Sequence, residues 1–246
     1  EPAAPNQQIV CGIGQALAQA RAQGLPEHRL HRASGMLLRP DFHDERHALT
    51  AAARAAARAR QGLDPDRPTV LVMFGAQGSP RMLELARALP ELQLLMLCGA
   101  NQPLREALCA LPAGARRAPL RAVGATSEVA PWMALADAFV GKPGPGALSE
   151  AVQMGLPVVT VVDAATMPQE RWNGTWVREQ GLGRVAADWA EVPAALHALL
   201  AALPDYRAAV AGQRNRAYFE VPEIMAACLR ERPAPGPDPA LRPLPV

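Results

Sequence analysis

A chain of 246 residues has room for one ordinary domain with additional segments, and a net charge of +2 from scattered arginines gives no broad positive field, so nucleic acid is not expected as a partner. Half of the residues are hydrophobic but only 4% are aromatic, which calls for a core of Ala, Leu and Val carried by helices and buried strands. Cys11, Cys98, Cys109 and Cys228 form no C-x-x-C pair and no stretch reaches the roughly 20 apolar residues of a membrane span, so buried free thiols, neither disulfide nor zinc, and a cytoplasmic location are expected.

In chain order, a short apolar strand over 8–10 leads into an Ala-rich helix over 14–22, punctuated by Gly24 and Pro26. The stretch 32–40 is apolar and ends on Pro40, as a crossover between two halves of a larger fold would. Asp44 is expected to cap a helix rich in Ala and Arg that runs to about Gln61 and stops at Gly62. Arg54 and Arg58 lie four apart on it and share a face, expected to be solvated, with peripheral contact to an anionic membrane as the alternative. His43 and His47, flanking the start of that helix, are expected to be exposed capping residues.

From Thr69 onward strand, turn and helix alternate, the pattern of an α/β parallel sheet with helices on both faces. Strands are predicted over 69–74, 93–98, 118–123, 138–140 and 158–162, the last of them apolar throughout as a strand buried on both sides would be. Helices are predicted over 80–89, 103–111, 131–136, 147–154, 169–180, 192–203, 206–219 and 222–230. The Pro-rich tail over 232–246 is expected to be disordered.

Open parallel sheets bind ligands at the carboxyl ends of their strands, which directs attention to four turns. After the first strand of the sheet, Gly75, Gln77 and Gly78 precede a helix start and suit a phosphate, or else an ordinary tight turn. The turn lacks both the G-K-[ST] ending of a nucleoside triphosphatase loop and the G-x-G-x-x-G fingerprint. Gly124 to Val129, after the third strand, is a stretch of mostly small residues against whose backbone a flat base could lie, though by itself it points to no ligand.

After the fourth strand come Lys142, Gly144, Pro145, Gly146, Ser149 and Glu150. Here a helix N-terminus cleared of side chains can hold a diphosphate, and a carboxylate one turn in can accept both hydrogen bonds of a ribose diol or merely favour the helix dipole. After the fifth strand, Gln169, Glu170 and Asn173 suit sugar hydroxyls, or ordinary capping. Asp64-Pro65-Asp66 precedes a strand instead of following one, and is expected as a capped turn, not a metal site.

Lys142-Pro143-Gly144-Pro145-Gly146, with Ser149-Glu150-Ala151 and Gly155-Leu156-Pro157, resembles the K-[AP]-G-[GP]-x-x-x-x-E-A-x-x-x-G-x-P signature of family 28 glycosyltransferases of the GT-B fold. Pro168-Gln169-Glu170 with Asn173 is similar to the P-G-Q-E-x-x-N pattern of the branch that glycosylates diacylglycerol, although Met167 precedes Pro168 and no glycine intervenes. The resemblance covers residues 8–229 and implies the C-terminal, donor-binding half of such an enzyme, a Rossmann-like domain over 41–231, with 1–40 as the remnant of an N-terminal domain and crossover.

It further implies inverting transfer of a hexose from a UDP-sugar to a membrane lipid, without a metal or other cofactor, at the inner face of the cell membrane. Glu150 would hold the ribose, Gly144 and Gly146 the diphosphate, Val129 and its neighbours the uracil, and Gln169 and Glu170 the sugar. The acceptor site and catalytic base would belong to a missing N-terminal domain or a separate chain, and no base is assigned. A UDP-sugar 2-epimerase and a non-catalytic nucleotide-sugar-binding subunit are the alternatives.

Overall fold

The computed structural model describes residues 7–231, so the expected disorder of 232–246 lies outside the described residues. The chain divides into two compact units, one drawn from residues up to Leu37 and from Asn215 onward, the other running from Leu38 to Arg214.

In the first unit, β1 (Ile9–Cys11) and β2 (Leu30–Arg32) pair in parallel across α1 (Gly14–Ala22), and Cys11, Leu17, Ala20 and Leu30 form a small core. The strand over β2 was not foreseen, because three residues reading Leu-His-Arg carry almost no strand signal of their own.

The second unit carries a six-stranded sheet. Its elements are α2 (Ala51–Arg60), β3 (Thr69–Met73), α3 (Arg81–Ala88), β4 (Gln93–Leu97), α4 (Gln102–Cys109), β5 (Leu120–Val123), α5 (Val129–Met133), β6 (Ala138–Gly141), α6 (Pro145–Gln153), β7 (Val158–Val161), α7 (Pro168–Glu179), β8 (Gly183–Ala186), α8 (Val192–Ala201) and α9 (Leu203–Ala211). All pairings are parallel in the order β5-β4-β3-β6-β7-β8.

Alternating side chains split the interior in two. Val70 and Val72 point to one face, covered by α3, α4 and α8, while Leu71 and Met73 point to the other, covered by α5, α6 and α7. Helices cover both faces, which explains why β3, β4, β6 and β7 are buried along their whole length and read as largely apolar runs. The strand order reverses between β3 and β6, and ligands of open parallel sheets bind outside the carboxyl ends of the strands beside such a switch point.

Several expectations are corrected. The helix ascribed to Asp44 begins later: Asp44 caps a single 3-10 turn by accepting from the Arg46 amide, and α2 starts after Thr50, whose hydroxyl accepts from the Ala53 amide. The Arg54–Arg58 face is not a solvated surface. Arg58 is buried with its guanidinium 2.5 Å from Asp137, and Arg54 turns toward the same carboxylate. His43 is half-buried 3.3 Å from the Gln153 amide, and burial pushes its imidazole pKa down.

Edge strand β8 is absent from the sequence expectation because Gly-Arg-Val-Ala has weak strand propensity; it forms on its pairing with β7, so close that a Cβ on Gly183 would overlap the Val158 carbonyl. The helix predicted over 206–219 breaks at Gly212. The Ser34 hydroxyl takes the Arg216 amide and the Asn215 side chain takes that of Ala217, starting a new helix, α10 (Ala217–Glu231), which clusters with the first unit and not with the sheet. Of the four thiols Cys11 and Cys98 are buried, Cys228 is half-buried and Cys109 is exposed.

Candidate functional site

Three strand-end loops meet beside the switch point: those after β3, β6 and β7. The Lys142 side chain spans the first two, its Cε 4.0 Å from where a Cβ on Gly75 would stand and 3.8 Å from the corresponding point on Gly144. A Glu170 carboxylate oxygen lies 3.7 Å from that same point on Gly144. Gly75, Lys142, Gly144 and Glu170 therefore share one locality, in which a Cβ on Gly144 would make ordinary van der Waals contact with both side chains.

The two glycine loops differ in what they leave free. In the β3–α3 loop the Gly78 amide donates to the Gly75 carbonyl, the Arg81 amide to the Ser79 hydroxyl and the Met82 amide to the Ser79 carbonyl. Gly78 has φ +59° and a Cβ there would stand 2.6 Å from the Cys98 carbonyl, so its glycine serves close packing against the β4–α4 loop. That contact is reinforced by the Ala100 amide on the Ala76 carbonyl at 2.7 Å and the Asn101 side-chain amide on the Gln77 carbonyl at 3.2 Å. Gln77 itself is exposed.

The β6–α6 loop is different. Gly144 is the N-cap of α6 and offers no side chain to cap it, Pro145 has no amide hydrogen, and among the described residues no acceptor takes the Gly146 or Ala147 amides. A helix start with free N–H groups and about half a positive charge stands at the carboxyl end of β6 beside the switch point, the arrangement that binds phosphate. The loop is braced from behind: the Asn173 side-chain amide donates to the Pro143 carbonyl at 2.7 Å, so Asn173 holds the loop's shape whatever else it touches.

Glu150 sits in the second turn of α6 after Ser149, and both are half-buried. Burial raises its carboxyl pKa, with Arg39 opposing and Asp41 adding to the rise. Among the described residues no donor hydrogen-bonds its carboxylate, so its desolvation is offset only in part, by the Arg39 charge, the condition expected of a group kept for a ligand. Arg39 is invisible to sequence pattern as a neighbour of Glu150: it lies 111 residues away, pairs with Asp41 at 3.1 Å and stacks over Phe42 at 5.4 Å. No local signal would have revealed it.

The remaining predicted residues are peripheral to this locality. Gln169 is exposed, its amide 3.3 Å from the Met167 sulfur, at the start of α7. Gly124 is half-buried with Arg105 beside it, and Val129 begins α5 packed on the core. In the β7–α7 loop, Asp163 accepts from the Ala165 amide and the Thr166 hydroxyl, ordinary turn capping. Asp64 likewise accepts from the Asp66 amide, so Asp64-Pro65-Asp66 is the capped turn expected. Among the described residues, no three of His, Cys, Asp and Glu gather as a metal site would require, and no helix is long and apolar enough to cross a membrane.

A doubly wound parallel sheet with its site at the switch point is the architecture of the C-terminal half of GT-B glycosyltransferases. Among solved structures the chain is similar to MurG of Acinetobacter baumannii, with TM-score 0.61 and 14% identity over 90% of this chain and 65% of that one. It is also similar to the UDP-GlcNAc 2-epimerase of Neisseria meningitidis bound to UDP-GlcNAc, with TM-score 0.57 and 14% identity over 92% and 61%.

By sequence its homologues are monogalactosyldiacylglycerol synthases and diacylglycerol glucosyltransferases, glycosyltransferases of family 28. It is 29% identical over 189 residues to the probable monogalactosyldiacylglycerol synthase 2 of Oryza sativa subsp. japonica, covering 72% of this chain and 38% of the relative. It is 28% identical over 168 residues to the processive diacylglycerol beta-glucosyltransferase of Staphylococcus saprophyticus, covering 66% and 40%. The chain thus spans about two fifths of the length of these relatives. No family model matches it.

Proposed function

We propose that the crevice at the switch point binds a UDP-sugar, and that the protein transfers its hexose, with inversion, to a membrane lipid such as diacylglycerol at the cytoplasmic face of a membrane. The acceptor site and catalytic base are supplied by a further domain or a separate chain. The observation that carries this is Glu150, a half-buried carboxylate with no internal donor, set one turn behind the free N–H groups of Gly146 and Ala147.

The chemistry follows from that pairing. Glu150 accepts the two hydroxyls of the ribose, which replaces the hydration it lost on folding. The start of α6 receives the diphosphate, and Lys142 adds a cation on the far side of the loop. As the glycosidic bond breaks, negative charge grows on the leaving diphosphate, and fixed N–H dipoles already in place stabilise it without a metal. Glu170, beside Gly144, and Gln169, exposed at the start of α7, are offered to the hexose hydroxyls, and the space before Val129 to the uracil.

The names of the relatives support a lipid acceptor, and the epimerase's bound UDP-GlcNAc shows that one protein of this fold holds such a donor. An epimerase is the weaker reading, because His43, His47 and His197, the histidines of the sheet domain, lie on none of the strand-end loops. Calorimetry with UDP and ADP is the test: preference for UDP that Glu150→Ala removes upholds the site. Equal affinity for both nucleotides would overturn it. Binding of UDP with no transfer from UDP-galactose or UDP-glucose to diacylglycerol, in the presence of the acceptor-binding part, would leave a nucleotide-sugar-binding subunit.

A further inference from the structure

The opposite edge of the sheet holds a second charged centre. Asp137, which immediately precedes β6, is buried and receives the Thr69 amide at 2.7 Å, Arg58 at 2.5 Å, Arg207 through a direct hydrogen bond and Arg54 at 3.4 Å. One carboxylate thus faces three guanidiniums. Arg58 is fully engaged, because its other nitrogens donate to the carbonyls of Leu135, Pro65 and Arg67. Arg54 and Arg207 are not: their side chains are 31% and 39% exposed, and each makes its one ion pair with Asp137.

Both border a cavity of about 190 Å³, together with His47, and no acidic side chain lines it. Met133, Met154 and Leu156 also line it. The C-terminus of α6 ends there, at Met154 and Gly155, and contributes about half a negative charge. Three arginines against one aspartate and a helix end still leave a partly desolvated excess of positive charge. Burying cations without a counter-charge is costly, and an anion in the cavity removes that cost. Burial and the neighbouring guanidiniums both depress the Arg54 pKa, as expected of a cation in need of a further anion.

We propose that this cavity binds a phosphate-type oxyanion, free or as the headgroup of a lipid phosphomonoester, held by Arg54 and Arg207. Planar guanidiniums suit two oxygens of a tetrahedral anion. The volume is below the roughly 300 Å³ at which small-molecule pockets begin, so a nucleotide sugar is excluded and the site is independent of the strand-end crevice.

Titration of the full chain with sodium phosphate at constant ionic strength, set with chloride, is expected to show saturable binding. Arg54→Gln should weaken it about tenfold, the loss of one charged hydrogen bond, while Glu150→Ala leaves it intact. Arg54→Gln removes only the longest of the four contacts to Asp137, and circular dichroism checks that it folds; Arg54→Lys replaces it if it does not, with a smaller loss expected.

Vesicles of phosphatidylcholine with and without phosphatidic acid separate the sources. Arg54-dependent sedimentation with phosphatidic acid assigns a lipid headgroup, and phosphate binding without such sedimentation assigns the free ion. Phosphate binding that is no stronger than chloride, or equal in wild type and Arg54→Gln, overturns the proposal.

Discussion

Two carboxylates at opposite edges of one sheet show how the same side-chain chemistry is put to different ends. Asp137 is buried at the amino edge and meets three guanidiniums and a backbone amide. Glu150 is half-buried at the carboxyl edge, where among the described residues no donor meets it and burial raises its pKa. The first is spent on structure, tying α2, β3, β6 and α9 to one another. The second is left desolvated and unpaired, at a cost that only a ligand recovers. Removing each should therefore damage a different property.

The largest effect is expected from Asp137→Ala. It would leave Arg58 buried among carbonyls with no counter-charge, and breaking a buried pair from one side costs about 3–5 kcal/mol. Urea unfolding should show that loss in the midpoint with an unchanged slope. If the loss is below about 1 kcal/mol, the range of exposed pairs, then the Asp137 centre does not fasten the sheet. Glu150→Ala should do the reverse. UDP affinity should fall about 100-fold or more, the worth of two hydrogen bonds to a charged acceptor, with little change in the unfolding midpoint.

Next in size is Lys142→Ala. Lys142 is exposed and its Cε is close to Gly75 and Gly144, without an ion pair in the described residues. Its removal should weaken UDP by about fivefold, or about 1 kcal/mol, and less at high salt because an exposed charge is screened within about 10 Å at 0.1 M. Calorimetry at two salt concentrations checks both halves of that expectation. A loss that does not change with salt would mean that Lys142 acts by shaping the loop and not by charge.

How far the sequence foretells these two edges is itself uneven. The alternation of apolar strands with helices was enough to place β3, β4, β5, β6 and β7 within a residue or two, because burial on both faces writes itself into continuous Val and Leu runs. The carboxyl edge was legible as well, since glycines, a helix start and Glu150 lie within ten residues of one another. The amino edge was not. Asp137 gathers Arg54, Arg58 and Arg207 from positions 70 or more residues away, and spacing along one helix read Arg54 and Arg58 as a solvated face. Local pattern reports which face a helix presents, but not what another part of the chain brings to meet it.

The smallest effect, and the one that most directly sharpens the contrast, is Glu150→Gln. The folded-state pKa of Glu150 lies above its ordinary 4.5, because burial disfavours the ionised form. Native protein therefore binds a proton that unfolded chain releases between those two values, so stability falls as pH rises through the folded pKa and the penalty is complete above it. Glutamine keeps the shape and cannot ionise. At neutral pH the variant should be slightly more stable than the parent, the smallest of these stability changes, while UDP affinity falls about as far as in Glu150→Ala because the amide presents one acceptor and two donors to the diol. Below pH 4.5 the parent is protonated in both states and the two unfolding midpoints should converge. A difference that is constant across pH would place its origin in packing, and Glu150 would no longer stand apart from Asp137 as the carboxylate held in reserve.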